Sequence, residues 1–202
     1  MPQVIAVHGF ARSGKDTIAG FLKEAGYERL AFADALRDVI YRLNPQIEVG
    51  FQTTDRYGNP SEIIEHFRLQ QIIDTDGWEM AKSAIPEIRR LMQVMGTEAG
   101  RNILGTDIWV DVVMRQIKEN PDKKYVITDL RFHNELAALD QYGPDVLFVK
   151  VKRPGVGPIN DHPSDAGLAD TEFDVILEND GSLEELRDKT LVLGDQGQLT
   201  LW

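Results

Sequence analysis

The sequence predicts an α/β fold in which helices cover both faces of a five-stranded parallel sheet. Short apolar segments alternate along the chain with segments of helical periodicity. Such alternation is typical of parallel sheets, whose strands are buried on both faces. In addition, a Gly-x-x-x-x-Gly-Lys segment at residues 9–15 follows the first apolar segment directly. Ligands of parallel α/β sheets bind beyond the carboxyl ends of the strands, which is where this segment would lie.

The N-terminal elements are predicted as strand, helix and strand. Residues 3–7 predict the first strand, and residues 15–24 predict a helix after the glycine-rich segment. Ala25-Gly26 would end this helix, because glycine is common just after helix C-termini. Residues 27–32 then predict a second short strand.

A second helix is predicted over residues 35–43, and Asn44-Pro45 would end it. Residues 45–61 contain Gly, Pro and Asn and predict a loop. From residue 61 to residue 120 the periodicity is helical throughout. Breaks in this helical region are predicted near Asp76-Gly77, Pro86 and Gly105-Thr106.

The third and fourth strands are predicted over residues 124–128 and 146–151, with a helix over residues 132–139 between them. Residues 153–170 hold three prolines and three glycines and few apolar side chains, which predicts a long loop. Long loops in compact domains are usually lids or disordered segments.

The last strand is predicted over residues 174–177 and the last helix over residues 182–189. The helix begins with a Ser-x-x-Glu capping box formed by Ser182 and Glu185. The sequence of residues 191–202 is compatible with a short hairpin but does not decide its structure.

Composition limits the function classes. The 202 residues, 42% of them hydrophobic, are enough for one domain over 1–202 with room for an inserted subdomain. The formal net charge of −11 argues against a general nucleic-acid or anionic-membrane binder. The chain has no cysteine, which excludes disulfides and thiolate chemistry. No apolar stretch approaches the about 18 residues of a membrane span, and there is no signal-peptide pattern, so we expect a cytoplasmic protein.

Residues 9–17, Gly-Phe-Ala-Arg-Ser-Gly-Lys-Asp-Thr, have the features of a phosphate-binding loop. Glycines let backbone N–H groups curve around a phosphate, and the following helix N-terminus adds partial positive charge. Lys15 is placed to reach the outer phosphates of a nucleotide. Asp16 stands where Ser or Thr usually follows the lysine, and the hydroxyl comes one place later, at Thr17. Adenylate-kinase-like enzymes also have Thr as the second residue after the lysine, and this similarity favours small-molecule kinases over GTPase switches.

Charged residues follow the second and third predicted strands. Asp34 and Arg37 come after the second strand, where Asp34 would either interact with a helix dipole or, like Arg37, contact an acceptor substrate. Asp129 ends the third strand, where it would organise Mg²⁺, cap the next helix, or do both. Arg131 could clamp a transferring phosphoryl group, whose spread charge suits a planar guanidinium.

These segments together resemble the phage-type deoxynucleoside monophosphate kinases, a branch of the P-loop nucleoside monophosphate kinases. The resemblance spans nearly the whole chain. The segments that carry it are 12–17, 32–37, 93–101 with Trp109, 129–135, 161–165 and 175–182. Within 161–165, Asp165 stands where the family pattern has Glu.

The resemblance implies the three-layer P-loop kinase fold, with an inserted helical monophosphate-binding region at about 34–105 and a lid at about 153–170. It also implies transfer of the ATP γ-phosphoryl group to a deoxynucleoside 5′-monophosphate. Lys15, Arg131 and Asp129 would be the catalytic residues. Arg101 would neutralise phosphate charge, although Gln93, Glu98 and Arg101 taken alone would form only a solvated helix face.

The resemblance further implies three groups of binding residues. The donor nucleotide would be bound by Gly9, Ala11, Arg12, Ser13, Gly14, Lys15, Asp16, Thr17, Arg153 and Asn179. The acceptor would be bound by Asp34, Arg37, Gln93, Glu98, Arg101 and Arg131. Mg²⁺ would be held mainly by phosphates and water, with Thr17, Asp16 and Asp129 nearby.

The expected partners are small-molecule nucleotides, with neither nucleic acid nor membrane, and the protein would be a monomer or a homodimer. If it is phage-encoded, its location would be the host cytoplasm. Two alternatives remain at this point. One is a dephospho-coenzyme A or phosphomevalonate kinase, and the other is a non-catalytic nucleotide-binding regulator.

Overall fold

The structure, a computed structural model, describes residues 2–157 and 168–195. The strands are β1 (Val4–His8), β2 (Tyr27–Leu30), β3 (Gln46–Thr54), β4 (Pro60–Arg68), β5 (Lys124–Ile127), β6 (Val146–Lys152) and β7 (Val175–Glu178). The α-helices are α1 (Lys15–Glu24), α2 (Phe32–Leu43), α3 (Leu69–Ala84), α4 (Pro86–Gln93), α5 (Ile108–Glu119), α6 (His133–Asp140) and α7 (Leu183–Asp195). A π-helix covers Val94–Leu104, and a 3₁₀ turn covers Asp170–Glu172.

The chain folds as two compact units. The sheet unit consists of Met1–Phe32 and Trp109–Trp202, and the inserted unit consists of Ala33–Ile108. Within the described residues, no helix is long and apolar enough to cross a membrane.

The sheet unit contains one five-stranded sheet in the order β2-β5-β1-β6-β7, and all four pairings are parallel. The predicted fold class is therefore confirmed, and each predicted strand lies within two residues of an observed one. β1 is the central strand, and Val4 to Val7 are fully buried in it. This arrangement places the end of β1 between the ends of β5 and β6.

Alternate side chains of β1 enter two hydrophobic clusters, because successive residues of a strand point to opposite faces of the sheet. Val4 and Ala6 pack with a cluster that includes α5 and α6 residues. Ile5 and Val7 pack with a cluster that includes α1 and α7 residues. The sheet is thus covered on both faces, and the phosphate-loop segment is anchored between a rigid strand and a rigid helix.

The inserted unit contains an antiparallel hairpin, β3 with β4, which the sequence prediction missed. The predicted loop over 45–61 is wrong, and so is the predicted helix for residues 61–68. Asp55 Oδ1 accepts the N–H groups of Tyr57 (2.8 Å) and Asn59 (2.9 Å) at the turn. Gly58 has a φ of 83°, a left-handed conformation that glycine adopts without strain. The turn and the Ile47-x-Val49-x-Phe51 alternation fix the hairpin.

The predicted helix breaks in the inserted unit are confirmed. Gly77, with a φ of 73°, kinks α3, Pro86 begins α4, and Gly105, with a φ of 133°, ends the π-helix. The helical pattern over 94–104 was correctly seen, but the conformation is π rather than α.

The C-terminal helix is longer than predicted. Residues 191–195 continue α7 and do not form a hairpin, and residues 196–202 lie outside the described residues. Residues 158–167 also lie outside them, and with them most of the predicted lid and the 161–165 segment of the family pattern.

Candidate phosphate-transfer site

The loop between β1 and α1 is closely packed at its two glycines. A Cβ at Gly9 would lie 2.8 Å from the Val151 carbonyl oxygen and 2.6 Å from Ser13 Oγ. A Cβ at Gly14 would lie 2.6 Å from Asn179 Nδ2, and Gly14 has a φ of 107°. Such contacts require glycine at both positions, which explains the spacing of the motif.

Two alanine substitutions, one at the residue that precedes α1 and one within α1, provide a matched test of this packing. Gly14→Ala is expected to destabilise the fold by about 1–3 kcal/mol, because it adds a clash and places a Cβ at positive φ. Gly20→Ala is expected to stabilise it by about 0.5–1 kcal/mol, because nothing lies within 4 Å of its Cβ and alanine favours helices. Thermal unfolding of the two variants measures the difference. Equal stability of both variants would contradict the inferred packing.

The loop presents hydrogen-bond donors suited to an anion. The N–H groups in the first turn of a helix have no acceptor within the helix, and in α1 the N–H of Ile18 is bonded to Gly14 O at 3.0 Å. The N–H groups of Lys15, Asp16 and Thr17 precede it. Ser13 is 1% exposed, and its buried Oγ has no hydrogen-bond partner among the described residues. These donors and the helix dipole give the loop the features of an anion-binding site.

Lys15 lies over this loop, where its Nζ donates to Gly9 O and Phe10 O, both at 2.7 Å. Burial lowers the pKa of Lys15, and the charge of Arg131 lowers it further, while Asp16 and Asp129 act in the opposite direction. Lys15 is therefore a partly desolvated cation at the mouth of the loop, where its attraction for an anion is stronger than in water.

The segment after β5 holds Asp129 and Arg131, and β5 is paired with β1, the strand that precedes the phosphate loop. The charges of both residues act on the pKa of Lys15. Asp129 Oδ1 accepts the N–H of Phe32 at 2.9 Å, at the first residue of α2. The prediction that Asp129 caps the following helix is wrong. That helix, α6, begins at His133, and Glu135 Oε2 accepts the N–H groups of Arg131 (2.7 Å) and Phe132 (3.1 Å).

Two predicted donor-site residues contact the loop from the neighbouring strands. Arg153 follows β6 and donates from Nη1 to Arg12 O at 3.2 Å. Asn179 follows β7 and donates from Nδ2 to Ser13 O at 2.8 Å, while its own N–H binds Lys152 O at 2.7 Å. Arg12 has a φ of 66°, a left-handed conformation. The structure therefore brings Arg153 and Asn179 to the phosphate loop, where they support its backbone.

A pocket of about 360 Å³ opens beside the loop, at the ends of β6 and β7. It is lined by Gly9, Phe10, Ser13, Lys150, Val151, Lys152, Arg153, Pro154, Val156, Asp170 and Glu178. Lys150 and Lys152 both bind Asp170, and these bonds hold the pKa of Asp170 at about 2. The acid is thus ionised at neutral pH and offsets part of the charge of the two lysines.

Sequence reasoning missed Lys150 and Asp170. Lys150 interrupts the apolar segment 146–151 of β6, and its side chain is only 12% exposed. A lysine on a buried strand requires an anionic partner. The lysine within this apolar segment could therefore have been recognised in the sequence as a residue of interest. The partner Asp170 could not be identified in this way.

The predicted metal residues Asp16 and Thr17 lie in the first turn of α1, with Asp16 exposed and Thr17 half-buried. Asp129 is half-buried at the end of β5. In the described part of the chain, no group of three or more His, Cys, Asp or Glu side chains is arranged to hold a metal ion. Mg²⁺ commonly binds through one or two carboxylates together with substrate phosphates and water, and these residues fit that mode.

The predicted acceptor residues other than Arg131 lie in the inserted unit. Arg37 donates from Nη2 to Glu79 Oε1 at 2.7 Å, and its Nη1 lies 3.9 Å from Asp34 Oδ1. Lys82 binds the other oxygen of Glu79, also at 2.7 Å. Asp34 lies in the first turn of α2, as the dipole interpretation predicts. Arg37 is thus part of an ion-pair network between α2 and α3.

The other three predicted acceptor residues lie at or in the π-helix. Gln93 ends α4 and is exposed, Glu98 is exposed within the π-helix, and Arg101 is half-buried there. π-helical turns are rare and frequently occur at functional sites. A role for these residues stays a prediction.

The chain is similar to known kinases. The family model for deoxynucleotide monophosphate kinase matches residues 53–190. A deoxynucleotide monophosphate kinase of Escherichia phage RB69 is 35% identical over 127 residues, 58% of this chain and 51% of that relative. The chain thus spans about half the length of that relative. A deoxynucleoside-5'-monophosphate kinase of Escherichia phage T5 is 27% identical over 83% of this chain and 86% of the relative.

The fold also occurs in a solved structure, a dephospho-CoA kinase from Campylobacter jejuni. It matches with a TM-score of 0.51 and 12% identity, and the match covers 97% of both chains. At this identity the likeness shows a shared fold and carries no information about the substrate.

Proposed function

Because the chain belongs to the deoxynucleotide monophosphate kinase family, we propose that it transfers the γ-phosphoryl group of ATP to a deoxynucleoside 5′-monophosphate. The products are ADP and the deoxynucleoside diphosphate. The observation that carries the proposal is the loop with its buried Ser13 hydroxyl and Lys15, which follows β1, while Asp129 and Arg131 follow the neighbouring strand β5. A carboxylate and a second cation at the same edge of the sheet are what phosphoryl transfer requires in addition to nucleotide binding.

The donor nucleotide is proposed to bind along the loop and into the adjoining pocket. Its phosphates accept hydrogen bonds from the N–H groups of Lys15, Asp16 and Thr17 and from the buried hydroxyl of Ser13. The pocket at the ends of β6 and β7 is large enough for part of the nucleoside. In this arrangement Arg153 is well placed to exchange its bond with Arg12 O for a donor phosphate.

Phosphoryl transfer requires that the protein position the two substrates and stabilise the charge that develops between them. An oxygen of the acceptor phosphate attacks the γ-phosphorus, and the bond from that phosphorus to the β,γ-bridging oxygen breaks, so that ADP leaves. No proton needs to be removed from an ionised phosphate, so no general base is required. Lys15 and Arg131 stabilise the charge on the phosphoryl oxygens. Asp129 keeps the hydrogen bond that it accepts from the Phe32 N–H. Because this bond holds the carboxylate in one position, Asp129 is better suited to fix charge than to act as a base.

Mg²⁺, when bound, neutralises charge on the donor phosphates. Thr17, Asp16 and Asp129 would hold it, directly or through water, together with those phosphates. The acceptor is proposed to engage the inserted unit through Arg101, Gln93 and Glu98. Asp34 and Arg37 are proposed to contact the acceptor as well. Arg37 would then weaken its ion pair with Glu79.

The rest of the organisation is proposed on the same basis. The chain would be one kinase domain whose residues at about 34–105 bind the monophosphate and whose loop at about 153–170 acts as a lid. Its partners would be small-molecule nucleotides, and its location the cytoplasm.

A coupled assay of ADP release tests the function. The four common deoxynucleoside monophosphates, the corresponding ribonucleotides and dephospho-coenzyme A are each supplied with ATP and Mg²⁺. We expect product with at least one deoxynucleoside monophosphate and none with dephospho-coenzyme A. Thermal stabilisation by ATP without product from any acceptor would instead indicate a nucleotide-binding regulator.

A further inference from the structure

His8, the last residue of β1, is a buried histidine that the proposed chemistry does not use. It is 3% exposed, and its Nδ1 lies 2.9 Å from the carbonyl oxygen of Leu130. A carbonyl oxygen can only accept a hydrogen bond. Nδ1 therefore carries the proton and donates it, which fixes the tautomer of the ring.

Two aromatic rings hold the imidazole in place. Phe173 is stacked on it with ring centroids 5.3 Å apart, and Phe10 of the phosphate loop meets it edge-on at 6.4 Å. The ring therefore has one orientation, which keeps Nδ1 directed at Leu130.

The environment of His8 favours the neutral ring. Burial lowers the pKa of His8, the bond to Leu130 O opposes this, and the charges of Lys150, Lys15 and Arg131 lower it further. With the proton on Nδ1, the neutral ring keeps a lone pair at Nε2, which has no hydrogen-bond partner among the described residues. In the neutral ring, Nδ1 is therefore the hydrogen-bond donor to the carbonyl oxygen of Leu130.

Leu130 lies between the two functional residues that follow β5. Asp129 is tethered to Phe32 at the start of α2, and the Arg131 N–H is tethered to Glu135 of α6. Of these three tethers, the His8 bond is the one that joins the segment to the strand that carries the phosphate loop. Phe10, which touches the His8 ring, also accepts the bond from Lys15 Nζ.

We propose that His8 is a positioning residue, whose Nδ1–H holds Asp129 and Arg131 in register with Lys15 for phosphoryl transfer. This inference rests on the proposed kinase function. Small displacements of a positioned charge lower the rate more than they lower binding, because alignment matters most in the transition state.

Two substitutions separate the hydrogen bond from the space that the ring fills. His8→Leu removes the donor while keeping an apolar side chain of similar size. His8→Asn places an amide N–H near the position of Nδ1, because both nitrogens are attached to Cγ. We expect His8→Leu to lower kcat by about 10–100-fold with the Kd for ATP changed by less than roughly threefold. We expect His8→Asn to retain kcat within roughly threefold of the wild type.

His66→Leu is the matched control, since His66 is an exposed histidine of β4 whose Nε2 contacts Glu48. Its kcat should equal that of the wild type. A folded His8→Leu protein with wild-type kcat would overturn the proposal, and so would a His8→Asn protein as slow as His8→Leu. Absence of product with the wild-type protein would instead be a failure of the proposed function.

Nitrogen-15 NMR of the wild-type protein tests the bond without any activity. We expect His8 as the Nδ1–H tautomer at neutral pH, and an Nε2–H tautomer would overturn the proposal. The Arg131 amide shares its peptide group with the Leu130 carbonyl. Its resonance should shift in His8→Leu and return toward the wild-type position in His8→Asn. An unchanged Arg131 resonance in a folded His8→Leu protein would contradict the proposal, and if that variant fails to fold, the tautomer and His8→Asn decide.

Discussion

Replacing Lys15 with alanine is expected to lower kcat/KM for phosphoryl transfer by at least about 10²–10³-fold. The side chain belongs to the phosphate loop, and its partly desolvated ammonium group donates to the carbonyl oxygens of Gly9 and Phe10. Removing it takes away one of the charge-assisted donors to the phosphoryl oxygens in a site where water cannot fully replace it. The measurement is steady-state ADP release with the deoxynucleoside monophosphate that reacts fastest.

The same substitution should not weaken the fold. Burial lowers the pKa of Lys15, which means that the folded protein disfavours the charged form of this side chain. Alanine removes that cost and also favours the helix, which offsets the loss of the two hydrogen bonds to Gly9 O and Phe10 O. We therefore expect a melting temperature equal to or above that of the wild type together with lost activity, the usual signature of a functional residue that is not optimal for stability.

Lys23→Ala provides the control, because Lys23 is an exposed lysine in the last turn of the same helix. It should leave both activity and stability nearly unchanged. Phosphorylation of every monophosphate at the wild-type rate by Lys15→Ala would rule out the proposed mechanism.

The parts of the site that could be predicted from the sequence are those whose residues are contiguous. The phosphate loop is defined by glycines and a lysine at fixed spacing, and its conformation depends on backbone geometry that glycine permits. The parallel sheet was predictable for a similar reason, because each strand is a short apolar segment that is buried on both faces. Asp129 and Arg131 were found because the carboxyl ends of parallel strands meet at one edge.

Contacts between distant residues could not be predicted in this way. α2 begins at Phe32, earlier than the local sequence indicates, because its first N–H is bound by Asp129, 97 residues away in the chain. The bond from His8 to Leu130 spans 122 residues. The local sequence around each of these residues does not indicate its hydrogen-bond partner, because these contacts depend on the tertiary packing.

The β3–β4 hairpin was missed for another reason. Ile63 and Ile64 are adjacent apolar residues, both at least half exposed, and they hide the two-residue alternation of β4. Asp55 and Gly58 are typical of a tight turn between two strands, but they are equally common in loops that pair no strands. Local composition does not distinguish a turn that pairs two strands from one that does not.

Arg131→Ala is expected to lower kcat by about 10³–10⁵-fold, the range for an arginine that stabilises the transferring phosphoryl group. Three of the candidate arginines, Arg37, Arg153 and Arg131, differ in their surroundings. Arg37 is bound to Glu79, and Arg153 donates to the backbone of Arg12. Arg131 is exposed, it follows the strand paired with β1, and its charge lowers the pKa of both Lys15 and His8. We therefore rank it first for the transition state.

Arg131→Ala should lower the rate of transfer without changing the affinity for ATP to a comparable extent. Removing a group that acts mainly in the transition state lowers kcat and kcat/KM together and leaves the Kd for ATP nearly unchanged. Arg131→Lys should recover only part of the loss, because an ammonium group lacks the planar fork that binds two phosphoryl oxygens. Arg37→Ala is expected to raise the KM for the acceptor more than it lowers kcat.

Arg187→Ala is the control for removing an arginine from the sheet unit, since Arg187 pairs with Glu24 at the surface, at 2.9 Å. An exposed pair of this kind contributes little to stability, so the variant should behave as the wild type does. A kcat for Arg131→Ala within tenfold of the wild type would assign the transition-state charge to another arginine. Arg153 and Arg101 would then be tested by the same comparison of kcat with Kd. In that case the His8 bond would position Asp129 alone, and His8→Leu and Asp129→Asn should then lower kcat by similar factors.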